Sequence, residues 1–223
     1  MANLELQRAH TLQTSIGPVS YLVYQPPGFA TAPRPLLMFL HGVGERGGAI
    51  ERVATHGIPA LIERGKNFPF ITVSPQCPAD RTWDELGEGL LDLLDALVPS
   101  LHVDPARIYL TGISMGAFGA WNLAARAPDR FAACVPICGG GDESWAPALS
   151  RLPTWVFHGA RDTIVPVETS RRMVRALEAV QAPVALTVYE DLAHECWERV
   201  YQTPELYDWL LSRRNQFEAR RPT

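Results

Sequence analysis

Short apolar runs alternate along the chain with longer stretches in which hydrophobic residues recur every three or four positions. The short runs have the length of β-strands, and several are apolar at every position, as strands buried on both faces of a sheet are. The longer stretches have the spacing of amphipathic helices. The alternation predicts an α/β fold in which helices cover both faces of a mostly parallel sheet.

The first two runs predict an antiparallel hairpin, because the turn-forming sequence Ser15-Ile16-Gly17-Pro18 joins them. The predicted strands are about 4–14, 19–25, 35–40, 70–73, 108–111, 133–137, 154–158 and 184–189. The predicted helices are about 50–64, 83–101, 116–127, 168–180 and 204–215. No internal repeat, low-complexity tract or linker interrupts this order, so we expect residues 1–223 to form one domain.

A glycine-flanked serine lies where a predicted strand passes into a predicted helix. The sequence Gly112-Ile113-Ser114-Met115-Gly116 fits the G-x-S-x-G nucleophile elbow. A serine hydroxyl is ordinarily a weak nucleophile, and such a turn exposes it to a base and to backbone N–H donors together. The motif therefore predicts Ser114 as a nucleophile. A plain glycine turn with a solvated serine is the alternative, but it leaves the strand and helix context unexplained.

The base that activates such a serine comes last in the chain order serine, acid, histidine. His194 is the only histidine after residue 158, and it lies in the loop beyond the last predicted strand. We therefore predict His194 as the base. His158, at the end of a predicted strand, is the rival, but the acid must come from nearly the same place. His158 is therefore interpreted as a residue that packs in the interior or supports the site indirectly.

The acid is expected on the loop after the penultimate predicted strand. Asp162 lies there, where a carboxylate can bind the far ring nitrogen of His194. Asp162 could instead cap its own turn or pair with Arg161. Four other carboxylates in the nearby loops remain as fallbacks: Asp142, Glu143, Glu190 and Asp191.

An oxyanion hole needs two backbone N–H donors, one after the nucleophile and one from the loop that follows the third predicted strand. These criteria select Met115 and Val43, with Gly44 as the second choice in the same loop. The glycines of this loop allow a close approach of backbone to substrate. An ordinary β–α turn would explain the glycines alone.

Several large or polar residues near the carboxyl ends of predicted strands are candidates for lining a substrate pocket: Trp83, Trp145, Trp197, Glu45 and Gln76. The tryptophans equally fit ordinary packing, and Glu45 could form a solvated pair with Arg46. Only about fifteen residues, 139–153, connect the two strands after the elbow. This length leaves no room for a large cap, so we expect an open site.

The composition limits the kinds of binding partner and location that we expect. The 20 basic and 24 acidic side chains are interspersed except in the basic tail from Arg213 to Arg221, and the formal net charge is −4, so no nucleic-acid partner is expected. No apolar run approaches the roughly 18 residues of a membrane span. Residues 1–8 lack the pattern of a secretory signal, which favours the cytoplasm, although a mature secreted fragment would look the same. Oligomeric state stays open.

Four cysteines are too few for a disulfide scaffold. A bond between Cys134 and Cys138 is excluded if the run between them is a strand, which would hold the sulfurs too far apart. A pair between Cys77 and Cys196 stays open, with free, partly buried thiols as the favoured alternative. Spaced cysteine or histidine pairs of the zinc type are absent, and no metal or other cofactor is predicted.

Several stretches of the chain together resemble a known family. They are LHGVGERG, SPQCP, TGISMGAFGAWNLA, PICGGGD, FHGARDTIVP and AHECW, and they are distributed over nearly the whole chain. The chain resembles α/β-hydrolases of the compact esterase group, which comprises predicted phospholipases, carboxylesterases and polyhydroxybutyrate-depolymerase-like esterases. It departs from them at Ala117, where relatives commonly carry glycine; one methyl group there should not disable the site.

The resemblance implies a catalytic triad of Ser114, Asp162 and His194, with Val43 and Met115 at the oxyanion hole. It implies hydrolysis of small or moderately sized soluble esters through an acyl-enzyme intermediate. A thioesterase, a lysophospholipase, and a feruloyl or acetyl-sugar esterase are close alternatives. A serine peptidase and a non-catalytic ligand-binding relative are more distant ones.

Overall fold

The computed structural model describes residues 4–28 and 32–215, so the first three residues and the end of the basic tail lie outside the described part. The strands are β1 (Arg8–Thr14), β2 (Gly17–Tyr24), β3 (Arg34–Leu40), β4 (Ile71–Pro75), β5 (Val103–Ile113), β6 (Ala133–Ile137), β7 (Thr154–Gly159) and β8 (Val184–Tyr189). The helices are α1 (Gly57–Glu63), α2 (Gly87–Ser100), α3 (Met115–Arg126), α4 (Glu168–Ala179), α5 (Trp197–Val200) and α6 (Pro204–Leu211).

The eight strands form one sheet in the order β1-β2-β4-β3-β5-β6-β7-β8. Strand β2 pairs antiparallel with both β1 and β4, and the remaining pairs are parallel. The predicted hairpin followed by a parallel sheet is therefore confirmed.

Both faces of the central strands are buried, and β3 shows how. Its side chains alternate, with Leu36, Met38 and Leu40 on one face and Leu37 and Phe39 on the other. Helices α2, α3 and α4 pack on the first face, and α1, α5 and α6 pack on the second. Each such buried side chain contributes about 1.5–3 kcal/mol, so the strands that carry the site are firmly held.

Several predicted elements differ from the structure: the first strand begins at Arg8 and not near residue 4, and the last helix ends at Leu211 and not near residue 215. The predicted helix 50–64 is a 3-10 turn, Ile50–Ala54, followed by α1, because Gly57 breaks the chain with a φ of 66°. The predicted helix 83–101 likewise begins as a 3-10 turn, Trp83–Leu86. Strand β5 starts earlier than predicted, since Val103 pairs with Arg34 of the neighbouring strand.

The carboxyl ends of β3, β5, β6, β7 and β8 meet along one edge of the sheet, which is where ligand sites form in open α/β sheets. The connection from β6 to β7 contains one 3-10 turn, Glu143–Trp145, and no cap domain. Within the described ranges, no helix has the length and apolar character needed to cross a membrane.

Candidate active site

Ser114 lies at a sharp turn between the end of β5 and the start of α3. Its φ of 51° and ψ of −118° lie outside the regions that a non-glycine residue normally adopts. Such a backbone costs about 1–3 kcal/mol and persists only where its surroundings enforce it. Here the N–H of Ser114 donates to the carbonyl of Ile137 (2.9 Å), and its carbonyl accepts from the N–H of Ala117 (2.8 Å).

The two glycines of the elbow are required by close backbone contacts. A Cβ at Gly112 would overlap the carbonyl of Gly116, and a Cβ at Gly116 would overlap the carbonyl of Leu40. Helix α3 therefore passes over the strand ends at a distance that only glycine permits.

Substituting Gly116 with alanine tests this packing. Glycine to alanine in a helix is ordinarily stabilising by about 1 kcal/mol, but here we expect a loss of about 3 kcal/mol because the new methyl group meets rigid backbone. The free energy of unfolding in denaturant measures the change. Gly44→Ala is the control, because no atom lies within 4 Å of its added Cβ. Equal stability of the two variants would contradict the argument.

The structure brings the three predicted residues of the triad together from three loops. His194 Nε2 lies 2.9 Å from Ser114 Oγ, and His194 Nδ1 lies 2.6 Å from Asp162 Oδ2. Since the carboxylate can only accept, Nδ1 carries the proton and Nε2 is the nitrogen that accepts from the hydroxyl. Both distances are within the reach of a general base and its orienting group.

Asp162 is buried but is surrounded by donors. Its Oδ1 accepts from the backbone N–H groups of Ile164 and Val165, both at 2.9 Å. Burial alone would raise the pKa of Asp162, but the hydrogen bonds from His194 and from these two N–H groups outweigh it and hold the pKa below its usual range. The carboxylate is therefore ionised at neutral pH.

His158 also contacts the Asp162 carboxylate. Its Nε2 faces only acceptors, Asp162 Oδ2 (3.1 Å) and the carbonyl of Val165 (2.9 Å), while its Nδ1 lies 2.8 Å from the hydroxyl of Ser170. Nε2 therefore carries the proton. Burial lowers the pKa of His158, which keeps this ring neutral. The rival base is thus a second donor to the acid, fully buried behind it.

The loop after β3 approaches the elbow. Its 3-10 turn, Val43–Glu45, leaves its first N–H groups without partners inside the turn, and so does the start of α3 at Met115. A Cβ placed on Gly42 would lie 3.8 Å from the Cβ of Ser114. The two N–H groups predicted for an oxyanion hole thus belong to adjacent backbone segments that both border the serine.

The segment 76–83 holds this loop in place. Gln76 Nε2 donates to the carbonyls of Gly47 (2.9 Å) and Ala49 (3.2 Å), and the Cys77 N–H donates to Nε2 of His41 (3.0 Å). Trp83 Nε1 donates to the carbonyl of His41 (2.9 Å). Gln76 and Trp83, which the sequence proposed as pocket residues, are both buried, and their side-chain N–H groups donate to carbonyls of this loop.

Glu45 is also buried, at 6% exposure, and does not form the solvated pair with Arg46 that was considered. Its carboxylate faces His41 (3.9 Å) and His56 (3.8 Å). Burial raises the pKa of Glu45, partly offset by His56 and by the backbone N–H groups of Gly42 and of Glu45 itself. The buried side chain of Glu45 therefore supports the loop from inside the protein.

The other two tryptophans differ in position. Trp197, at the start of α5, is buried, and its ring packs edge to face against that of His194, with 5.3 Å between the ring centroids. Trp145 is half-buried in the loop after β6 and remains a pocket candidate. Two apolar side chains are exposed on the site loops: that of Val43 (55%), which the sequence selected only as a backbone donor, and that of Ile164 (71%), which it did not single out.

The cysteines do not pair as the sequence allowed. The Cys77 thiol donates to the carbonyl of Arg81 (3.3 Å), whereas the Cys196 thiol faces Cys138 at 2.9 Å between sulfurs. Cys77 and Cys196 therefore do not form the disulfide that the sequence left open. All four cysteines are free thiols in this structure.

A serine, an aspartate and a histidine in this chain order, on the loops at one edge of an eight-stranded α/β sheet, define an α/β-hydrolase. The model of the dienelactone hydrolase family matches residues 71–203, more than half of the chain, and the chain belongs to that family.

Two curated relatives match part of the chain. Poly(3-hydroxyalkanoate) depolymerase C of Paucimonas lemoignei is 30% identical over 150 residues, 60% of this chain and 34% of the relative. A bifunctional acetylxylan esterase/xylanase of Neocallimastix patriciarum is 26% identical over 148 residues, 64% of this chain and 21% of the relative. The chain therefore spans about a third or less of the length of these relatives.

A solved structure covers more of the fold. The crystal structure of a thermostable esterase matches with a TM-score of 0.82 and 28% identity, over 94% of this chain and 63% of that one.

Proposed function

We propose that this protein is a serine esterase that hydrolyses small or moderately sized soluble carboxylic esters through an acyl-enzyme intermediate. The observation that carries the proposal is the continuous hydrogen-bond chain from Ser114 Oγ through His194 to Asp162. The strained backbone at Ser114 adds support, because such strain clusters at functional sites.

Acylation begins when Ser114 Oγ attacks the ester carbonyl and gives its proton to His194 Nε2. Asp162, kept ionised by its four hydrogen bonds, stabilises the imidazolium that forms. The tetrahedral intermediate then collapses, the C–O bond to the alcohol breaks, and the alcohol leaves with the proton from His194. The acyl group remains on Ser114.

The negative charge of the intermediate falls on the former carbonyl oxygen. In this proposal the N–H groups of Met115 and Val43 donate to it, with Gly44 as the alternative donor in the loop. Donors fixed in this way stabilise the transition state without reorganising during the reaction. A water molecule, deprotonated by His194, repeats the same steps on the acyl-enzyme and releases the acid.

The substrate class follows from the openness of the site. Among the described residues no cap domain covers the strand ends, and two apolar side chains on the site loops, those of Val43 and Ile164, are largely exposed. Such a surface suits short acyl groups better than a long chain that needs enclosure. The relationship to an acetylxylan esterase points in the same direction.

A series of p-nitrophenyl esters from acetyl to decanoyl tests the proposal. An enclosed acyl pocket would gain about 0.8 kcal/mol, or roughly fourfold in kcat/KM, for each added methylene. We expect no such rise: kcat/KM should be highest for the acetyl or butyryl ester. A steady increase with chain length would contradict the open-site argument.

Feruloyl esters, acetylated sugars and acyl thioesters, measured beside this series, separate the close alternatives. A kcat/KM for one of these at least ten times that for p-nitrophenyl acetate would replace the general esterase assignment with that substrate class. Absence of hydrolysis of every substrate in both sets would overturn the proposed function itself.

A further inference from the structure

Two buried thiols meet beneath the loop that carries His194. Cys138 directly follows β6, and Cys196 lies two residues after His194, at the start of α5. Neither side chain has solvent-exposed surface, and their sulfur atoms are 2.9 Å apart. The pair thus joins the end of a central strand to the base loop.

The distance between the two sulfur atoms is shorter than the non-bonded contact of two separate thiols. Non-bonded carbon atoms already prefer roughly 3.5–4.0 Å, and sulfur is larger than carbon. We propose that Cys138 and Cys196 form a disulfide bond in the oxidised protein, and that this bond fastens the His194 loop to β6. The bond is independent of the proposed esterase function.

The backbone around the pair is already fixed in place. Cys138 has a φ of 56°, and its N–H donates to the carbonyl of Phe157 (2.9 Å). Its thiol also lies 2.9 Å from the carbonyl oxygen of His194. The strand end and the base loop are therefore in direct contact before any bond forms, so closing the bond needs only a small movement of the two sulfurs.

The reaction requires an oxidant. With a small disulfide such as oxidised glutathione, the two protein thiols lose two protons and two electrons. One S–S bond forms in the protein, the S–S bond of the oxidant breaks, and two small thiols are released. The adjoining Cys196 thiol, together with burial, raises the pKa of Cys138, so little thiolate exists in the folded chain. The bond is therefore expected to form as the chain folds and to resist reduction afterwards.

The bond would close a loop between residues 58 apart in sequence. Restricting the unfolded chain in this way should raise Tm by about 10 °C in the oxidised protein relative to the reduced one. We also expect slower heat inactivation of the oxidised form, because the His194 loop cannot separate from β6.

The test compares protein refolded with oxidised glutathione and protein refolded with dithiothreitol. Each sample is unfolded in excess iodoacetamide without reductant and its mass is measured. We expect two alkylated cysteines, Cys77 and Cys134, after oxidation and four after reduction. Digestion of the oxidised sample should yield one linked peptide pair that contains Cys138 and Cys196.

Variants identify the pair and control for misfolding. Cys196→Ala should leave three alkylatable cysteines under both conditions and remove the difference in Tm between them, even if the variant is less stable overall. Cys134→Ala, which removes a buried thiol outside the pair, should keep both the bond and the Tm difference. Four alkylated cysteines after oxidative refolding, or a link between any other two cysteines, would overturn the proposal.

Discussion

Replacing Ser114 with alanine is expected to lower kcat for p-nitrophenyl acetate by about 10⁵-fold or more, leaving only the residual rate that substrate binding and the backbone donors support. The acyl-enzyme cannot form without Oγ. Among the described residues, no other hydroxyl lies within hydrogen-bond distance of His194 Nε2. Steady-state hydrolysis by purified protein measures the loss. Unfolding in denaturant should show little change in stability, because alanine keeps the Cβ and the same strained backbone.

The control for this variant is Ser212→Ala, which removes an exposed hydroxyl after the last helix. It should retain full activity. A fluorophosphonate should add one adduct to the wild-type protein, on the peptide that contains Ser114, and none to Ser114→Ala. Labelling at a different serine, or activity that survives Ser114→Ala, would show that another residue is the nucleophile.

The contacts of the triad could be anticipated because each member is encoded locally. A serine between two glycines after an apolar run forces a tight strand-to-helix turn, and loops at the carboxyl ends of parallel strands meet at one edge. Asp162 and His194 follow β7 and β8, so the parallel sheet places both loops at the same edge as Ser114, although β8 lies three strands from β5. Chain order therefore carried most of the geometric information.

The support of the oxyanion loop could not be anticipated in the same way. Gln76 and Trp83 have the residue types and loop positions of pocket residues, and their true partners are carbonyls 27–42 residues away. Which carbonyl lies within reach of an indole or amide N–H depends on tertiary packing, which neither periodicity nor motif order encodes. The burial of Glu45 was missed for the same reason.

His158 and Cys196 show a related limit. Their positions in the chain were clear, but their roles depend on what faces them: a carboxylate in one case and a thiol in the other. The FHGARD stretch signalled that a histidine precedes the acid by four residues. That spacing becomes meaningful only when the loop after β7 folds back and both imidazoles meet one carboxylate oxygen.

Replacing Asp162 with asparagine is expected to lower kcat by about 10⁴-fold while leaving the fold intact. The amide NH₂ would face His194 Nδ1, so that the ring would place its proton on Nε2 and could no longer accept from Ser114. Hydrolysis of p-nitrophenyl acetate by the variant measures this loss. The control is Asp191→Asn, on the same loop as His194, where the exposed carboxylate pairs with Arg199; its activity should be unchanged.

The pH dependence of the wild-type protein tests whether Asp162 stays ionised. Because the pKa of Asp162 is held below its usual range, lowering the pH towards about 4 should leave this carboxylate ionised. Above that pH, protonation of Asp162 should therefore cause no loss of kcat/KM. If Asp191→Asn lowered kcat more than Asp162→Asn did, the acid of the triad would lie on the His194 loop. The hydrogen bonds at Asp162 would then serve only the packing of the loop after β7.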